Sequence, residues 1–135
     1  MSQPTFFSAS LFVALGGALG AWLRYAVNTA WLRAIGAAAT SAFPWATLSI
    51  NVLGSLAMGL LAGWLARYGQ QGEPWRLLLG VGVLGGFTTF SAFSLELAAL
   101  IERGSLGTAL LYAALSLGVG LAALFAGLSL MRVAT

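Results

Sequence analysis

The residues best suited to chemistry gather between Gly80 and Glu96, in the run GVGVLGGFTTFSAFSLE. Glycines stand at 80, 82, 85 and 86, followed by Phe87, Thr88, Thr89, Phe90, Ser91, Phe93 and Ser94. The run lies inside a long apolar segment. Each glycine costs a helix about 1 kcal/mol relative to alanine, and β-branched threonines add to the doubt. A helix that breaks at membrane depth leaves carbonyls and N–H groups that lipid cannot satisfy. One reading is therefore an interruption over Gly85–Thr89, built so that freed backbone groups coordinate something. The other is a straight helix whose glycines let a neighbour approach.

Polar side chains on the other apolar segments recur at helical spacing. Thr47, Asn51, Ser55, Gly59 and Gly63 are four apart and share one face. Tyr112, Ser116 and Gly120 repeat the spacing, with Thr108 one turn earlier. Asparagine inside an apolar helix is costly and has a partner as a rule. Either it joins helices by a hydrogen bond, or its N–H groups donate to an anion. Gly16 and Gly20 share a face, and Arg24 lies one turn beyond them. Arg24 either snorkels to the interface or holds a fixed positive charge at the mouth of an anion path.

Other chemistry is excluded by residues the chain lacks. With no histidine or cysteine there is no Ser-His or Cys-His pair, no disulfide, and no metal site of those ligands. The glycines make no phosphate loop, because no lysine follows them. Glu96 is the only carboxylate near an apolar segment; Glu73 and Glu102 fall in loops. An enzyme is not expected. The pI near 10.2 reflects a surplus of three arginines rather than a basic patch, so nucleic acid is not an expected partner.

The elements that must position these residues are membrane helices. Sixty per cent of the 135 residues are hydrophobic and 7% charged, with mean hydropathy +0.95. That composition describes an integral membrane protein with almost no mass outside the lipid bilayer. A span needs about 20 apolar residues. Four fit, at about 6–27, 44–66, 75–100 and 106–131, as one four-helix domain over residues 1–135. Pro44 and Pro74 suit helix starts. Trp31, Trp45, Trp64, Trp75 and Tyr68 sit near segment ends, as an aromatic belt would. The N-terminus, MSQPTFFSAS, lacks the basic region of a signal peptide, so no cleavage is expected. Four spans put Arg67, Arg76 and Arg132 on one side and Arg24, Arg33 and Arg103 on the other. Without the usual asymmetry the chain can insert both ways, and four short helices are too few to enclose a wide pore. Both points favour a dimer, with an antiparallel one among the options.

Three stretches, GGALGAWLRY at 16–25, NVLGSLAMG at 51–59 and GGFTTFSAFSLE at 85–96, together resemble the Fluc (CrcB) family of bacterial fluoride channels. The resemblance covers all four segments in order, and its third stretch is the most distinctive. It implies an all-α membrane protein of the bacterial inner membrane, four transmembrane helices per subunit with the third broken, forming an antiparallel dual-topology homodimer. It implies two fluoride pathways per dimer along the subunit interface. Backbone carbonyls of Gly85 and Thr88 from both subunits are implied to hold a central, structural sodium ion. Phe90 and Phe93 would present ring edges to fluoride, Asn51 would donate to it, and Tyr112 and Ser116 would extend a polar track. Thr47 and Arg24 complete the expected pathway residues. Many members continue the track with a hydroxyl where this chain has Gly120.

Fluoride is small and strongly hydrated, so a pore must replace its water with donors. Hydroxyls and amides do so without a fixed charge that would trap the ion. A phenyl edge is the positive end of the ring quadrupole and can face an anion. Two rival classes remain. A small dual-topology multidrug transporter needs a glutamate in its first helix, where this chain has no carboxylate. A non-transporting assembly subunit explains packing faces but not the stretch from Gly85 to Ser91.

Overall fold

The computed structural model describes residues 4–67 and 69–133. Tyr68, assigned above to the aromatic belt, lies outside them. Among the described residues the regular elements are all helical, in the order α1 (Phe6–Ala42), α2 (Trp45–Leu65), a 3-10 turn (Gly69–Gly72), α3 (Glu73–Trp75), a π-helix (Arg76–Leu84), α4 (Gly85–Phe87), α5 (Phe90–Glu102) and α6 (Leu106–Val133). Four spans are long and apolar enough to cross a membrane: Phe6–Ala42, Trp45–Leu65, Glu73–Glu102 and Leu106–Val133.

The first helix does not stop near Val27 but continues to Ala42. Residues 28–42 are rich in alanine, the best helix former, and hold no proline. The run bends at Gly36, whose φ of 79° and ψ of 167° suit glycine alone. It ends at Phe43, pushed into the extended region by Pro44 behind it. Pro44 in turn caps α2, and Pro74 sits in the first turn of α3.

The third span departs from regular helix twice. Its first half is a π-helix, which residue spacing did not announce. After Phe87 the backbone runs extended through Thr88 (φ −76°, ψ 159°) and Thr89 (φ −153°, ψ 121°), and helix resumes at Phe90. The departure falls at the end of the expected stretch Gly85–Thr89 rather than at its start: Gly85 is helical at φ −63°, ψ −38°. The β-branched threonines, which favour extended backbone, are where the chain leaves the helix. Thr89 then caps α5, its hydroxyl accepting the Ala92 N–H at 3.1 Å.

Glycine sets the packing of the spans. The π-helix and α4 lie along α1 with backbones nearly touching: a methyl group at Gly20 would strike the Val83 carbonyl, and one at Gly82 would sit 2.9 Å from Gly16 Cα. α2 and α6 cross in the same manner at Gly59 and Gly127. A small core of Leu100, Ala109 and Tyr112 joins α5 to α6, with Phe43, Leu48, Phe93 and Leu97 against it.

Candidate functional site

The two extended threonines are fastened to α2 by one side chain. Thr89 donates its N–H to Asn51 Oδ1 at 2.9 Å, and its carbonyl accepts from Asn51 Nδ2 at 3.1 Å. Asn51 thereby pairs with Thr89 much as a strand residue would. Both backbone groups that leaving the helix exposes on Thr89 are satisfied, as burial demands. The carboxamide has two N–H bonds and Thr89 takes one, so a second donor remains.

Asn51 also lines a cavity of about 330 Å³ with Thr88, Thr89, Phe90, Phe93 and Ser116. Phe90 and Phe93 face each other with centroids 5.8 Å apart, and Phe90 is 78% exposed. Phe93 lies 5.2 Å from the Tyr112 ring. Ser116 Oγ is buried and has no hydrogen-bond partner. An unpaired buried hydroxyl costs about 1–3 kcal/mol, so a donor left over at this cavity wall is a notable feature.

A second cavity, of about 440 Å³, lies against the same extended stretch and is lined in part by Arg24, Thr47, Thr89, Ser91 and Glu96. Thr89 belongs to both linings. Arg24 is half-buried and directs Nη1 at the Thr88 carbonyl, 3.4 Å away. Its guanidinium thus has a partner inside the bundle.

The expected site residues divide into two groups. Asn51, Phe90, Phe93 and Ser116 share the first cavity. Thr47 and Tyr112 instead converge on Glu96, to which sequence reasoning gave no role. Thr47 Oγ1 donates to Glu96 Oε1 and the Tyr112 hydroxyl to Oε2, each at 2.7 Å. Both donors are buried. The available signal was the pair of inward-facing hydroxyls on the second and fourth segments, which need an acceptor, beside one lone carboxylate on the third. At Gly120, a methyl group would meet Ser55 Oγ at an ordinary 3.6 Å. An α2 hydroxyl therefore stands where the track was expected to lose one.

The Gly85 and Thr88 carbonyls are among those released from the helical ladder. Thr88 N–H bonds Leu84 O at 3.0 Å and Thr89 N–H goes to Asn51, so neither reaches the Gly85 carbonyl. Ala92 N–H goes to the Thr89 hydroxyl, so it does not bond the Thr88 carbonyl, which has the long Arg24 contact. No group of three or more acidic side chains suited to a metal occurs among the described residues.

This is the architecture of a small multi-pass membrane protein whose polar cavity is cut into an apolar bundle. The chain belongs to the CrcB family. The family model described as CrcB-like protein, Camphor Resistance (CrcB), matches residues 11–128. A relative from Novosphingobium aromaticivorans, named fluoride-specific ion channel FluC, is 58% identical over 125 residues, 93% of this chain and 97% of its own length. One of the same name from Erythrobacter litoralis is 56% identical over 130 residues, 93% of each chain. A third, from Caulobacter vibrioides, is 49% identical over 123 residues, covering 90% of this chain and 94% of the relative. The protein is thus a multi-pass bacterial membrane protein of a channel family, not an enzyme.

Proposed function

We propose that this chain forms a passive, fluoride-selective channel of the bacterial inner membrane. The observation that carries the reading is the cavity at the extended threonines, where the second Asn51 N–H and the unpartnered Ser116 hydroxyl meet the exposed Phe90 ring. Fluoride needs donors to replace its hydration, and these donors carry no net charge to hold it too tightly. The names of the relatives point the same way. Glu96 holds Thr47 and Tyr112 in place beside this path, and Arg24 keeps a positive charge at the opposite cavity.

The working unit is an antiparallel, dual-topology homodimer with two pathways. In this reading Thr88–Thr89 is a functional break in the third membrane helix. Half-open cavities and the exposed Phe90 suit completion by a second copy. A structural sodium ion fits the released Gly85 and Thr88 carbonyls. Sodium prefers hard oxygen ligands, and broken helices supply them from backbone. Each chain offers two, so a pair offers four. The nearby Arg24 is a like charge, which makes the carbonyl geometry critical. The sodium would pin the two extended stretches together and is not the transported ion.

Fluoride efflux from proteoliposomes tests the reading, with chloride as the control. Rapid fluoride loss and no measurable chloride loss, without a proton gradient, is the expected result. Comparable fluxes of both anions, or flux that requires a proton gradient, would overturn it.

A further inference from the structure

An apolar groove of about 510 Å³, separate from both cavities, lies between the end of α2, the start of the third span and the end of α6. It is lined by Leu60, Leu61, Trp64, Trp75, Leu79 and Met131, none of which touches the site above. Trp64 and Trp75 meet edge to face at 6.3 Å across it. Tryptophans of this placement mark the headgroup level of a bilayer. At the rim, the Arg67 guanidinium donates to the carbonyl of Met131, a groove residue. Glu73, in the same connection, is matched by Arg76 through two bonds of 2.7 Å. The groove therefore combines an apolar floor, aromatic walls at interfacial depth and the positive charge of Arg67 at its mouth.

We propose that this groove is a binding site for an anionic phospholipid, with one acyl chain along the groove and the phosphate headgroup against Arg67. A neutral lipid would fill the floor equally well but gain nothing from the rim. Each arginine near an anionic headgroup favours it by about five-fold, so the preference belongs to headgroup charge and the residence to the groove.

Native mass spectrometry of the full chain tests both parts. The protein is purified with equimolar phosphatidylglycerol and phosphatidylcholine of identical chains, and retained lipid is counted. Wild type is expected to keep the anionic lipid over the neutral one by about five-fold. Arg67→Gln should bring that ratio near one, while Arg33→Gln, at the other end of the bundle, should leave it unchanged. Leu60→Trp fills the groove and should reduce retention of both lipids; Leu79→Phe serves if that variant does not fold, as judged by circular dichroism. Equal retention by wild type overturns the proposal, as does a ratio indifferent to Arg67→Gln, or retention indifferent to the filled groove. A disulfide between two Leu60→Cys chains in membranes of either lipid would also overturn it, because the groove would then be covered by a second copy.

Discussion

The two halves of the third span are held by different physics. Residues 76–87 lie along α1 through glycine, backbone against backbone, and leave little room for anything else. Residues 88–102 rest on α2 and α6 through the small apolar core at Leu100 and Tyr112 and, nearer the extended threonines, through polar side chains: Asn51 on Thr89, and Thr47 and Tyr112 on Glu96. Backbone shape fixes the first half; the second adds side-chain hydrogen bonds to its packing. Close packing excludes water and ions, whereas a hydrogen-bonded contact can keep cavities and unused donors beside it. The difference tells where a membrane protein can place a polar path without loosening its fold.

The comparison breaks most severely at the glycine seam. Gly20→Val should cost about 3 kcal/mol or more, because the new side chain meets the Val83 carbonyl rather than a movable side chain. Yield of folded protein and thermal stability in detergent would register it. Gly118→Val, where nothing lies within 4 Å, should stay within about 0.5 kcal/mol of wild type. Equal stability of the two variants would mean that the seam is loose.

Next in size is Asn51→Leu. It should stop conduction by removing a donor from the cavity, and it should also cost stability: the leucine would strand one buried N–H and one buried carbonyl, at about 1–3 kcal/mol each. A variant that is as stable as wild type yet silent in fluoride efflux would place Asn51 in the path but not in the clamp.

Phe90→Ile should separate function from fold. Phe90 is largely exposed, so stability should change by less than about 0.5 kcal/mol, while fluoride flux falls at least about ten-fold for loss of the ring edge. Phe93→Ile should lose flux similarly, with a larger stability cost because its ring packs on Tyr112. Normal flux in both would reduce the pair to packing.

The smallest structural effect belongs to Ser116→Ala. No hydrogen bond is lost, so stability should hold or rise by up to about 1 kcal/mol as an unpaired hydroxyl disappears. A fall in fluoride flux at unchanged stability would sharpen the contrast between the halves.

Much of this was legible because it is local. Helical spacing put Thr47, Asn51 and Ser55 on one face and Tyr112 and Ser116 on another, and each face turns inward. Apolar length gave four spans. What stayed hidden is tertiary or cumulative. The run from Asn28 to Ala42 looked like a loop because its polar residues ended the apolar window, although its alanines keep it helical. The non-helical residues were expected somewhere in Gly85–Thr89, but residue types did not say where in that stretch; Gly85 stays helical, and Thr88 and Thr89 bear the departure. Glu96 was opaque because both its partners lie far off in the chain.

The clamp between Asn51 and Thr89 also sets where the chain tolerates a change of length. α2 has two fixed phases: Asn51 faces Thr89, and Gly59 faces Leu124. One residue inserted between them would turn one against the other by about 100°. Either the amide would swing off the extended threonines or a side chain would enter the crossing with α6. The same insertion in the 3-10 turn at Gly69–Gly72 would disturb neither phase. Eight residues of α2 thus act as a ruler between a hydrogen-bonded contact and a packed one, and drift in helix length is confined to the connections.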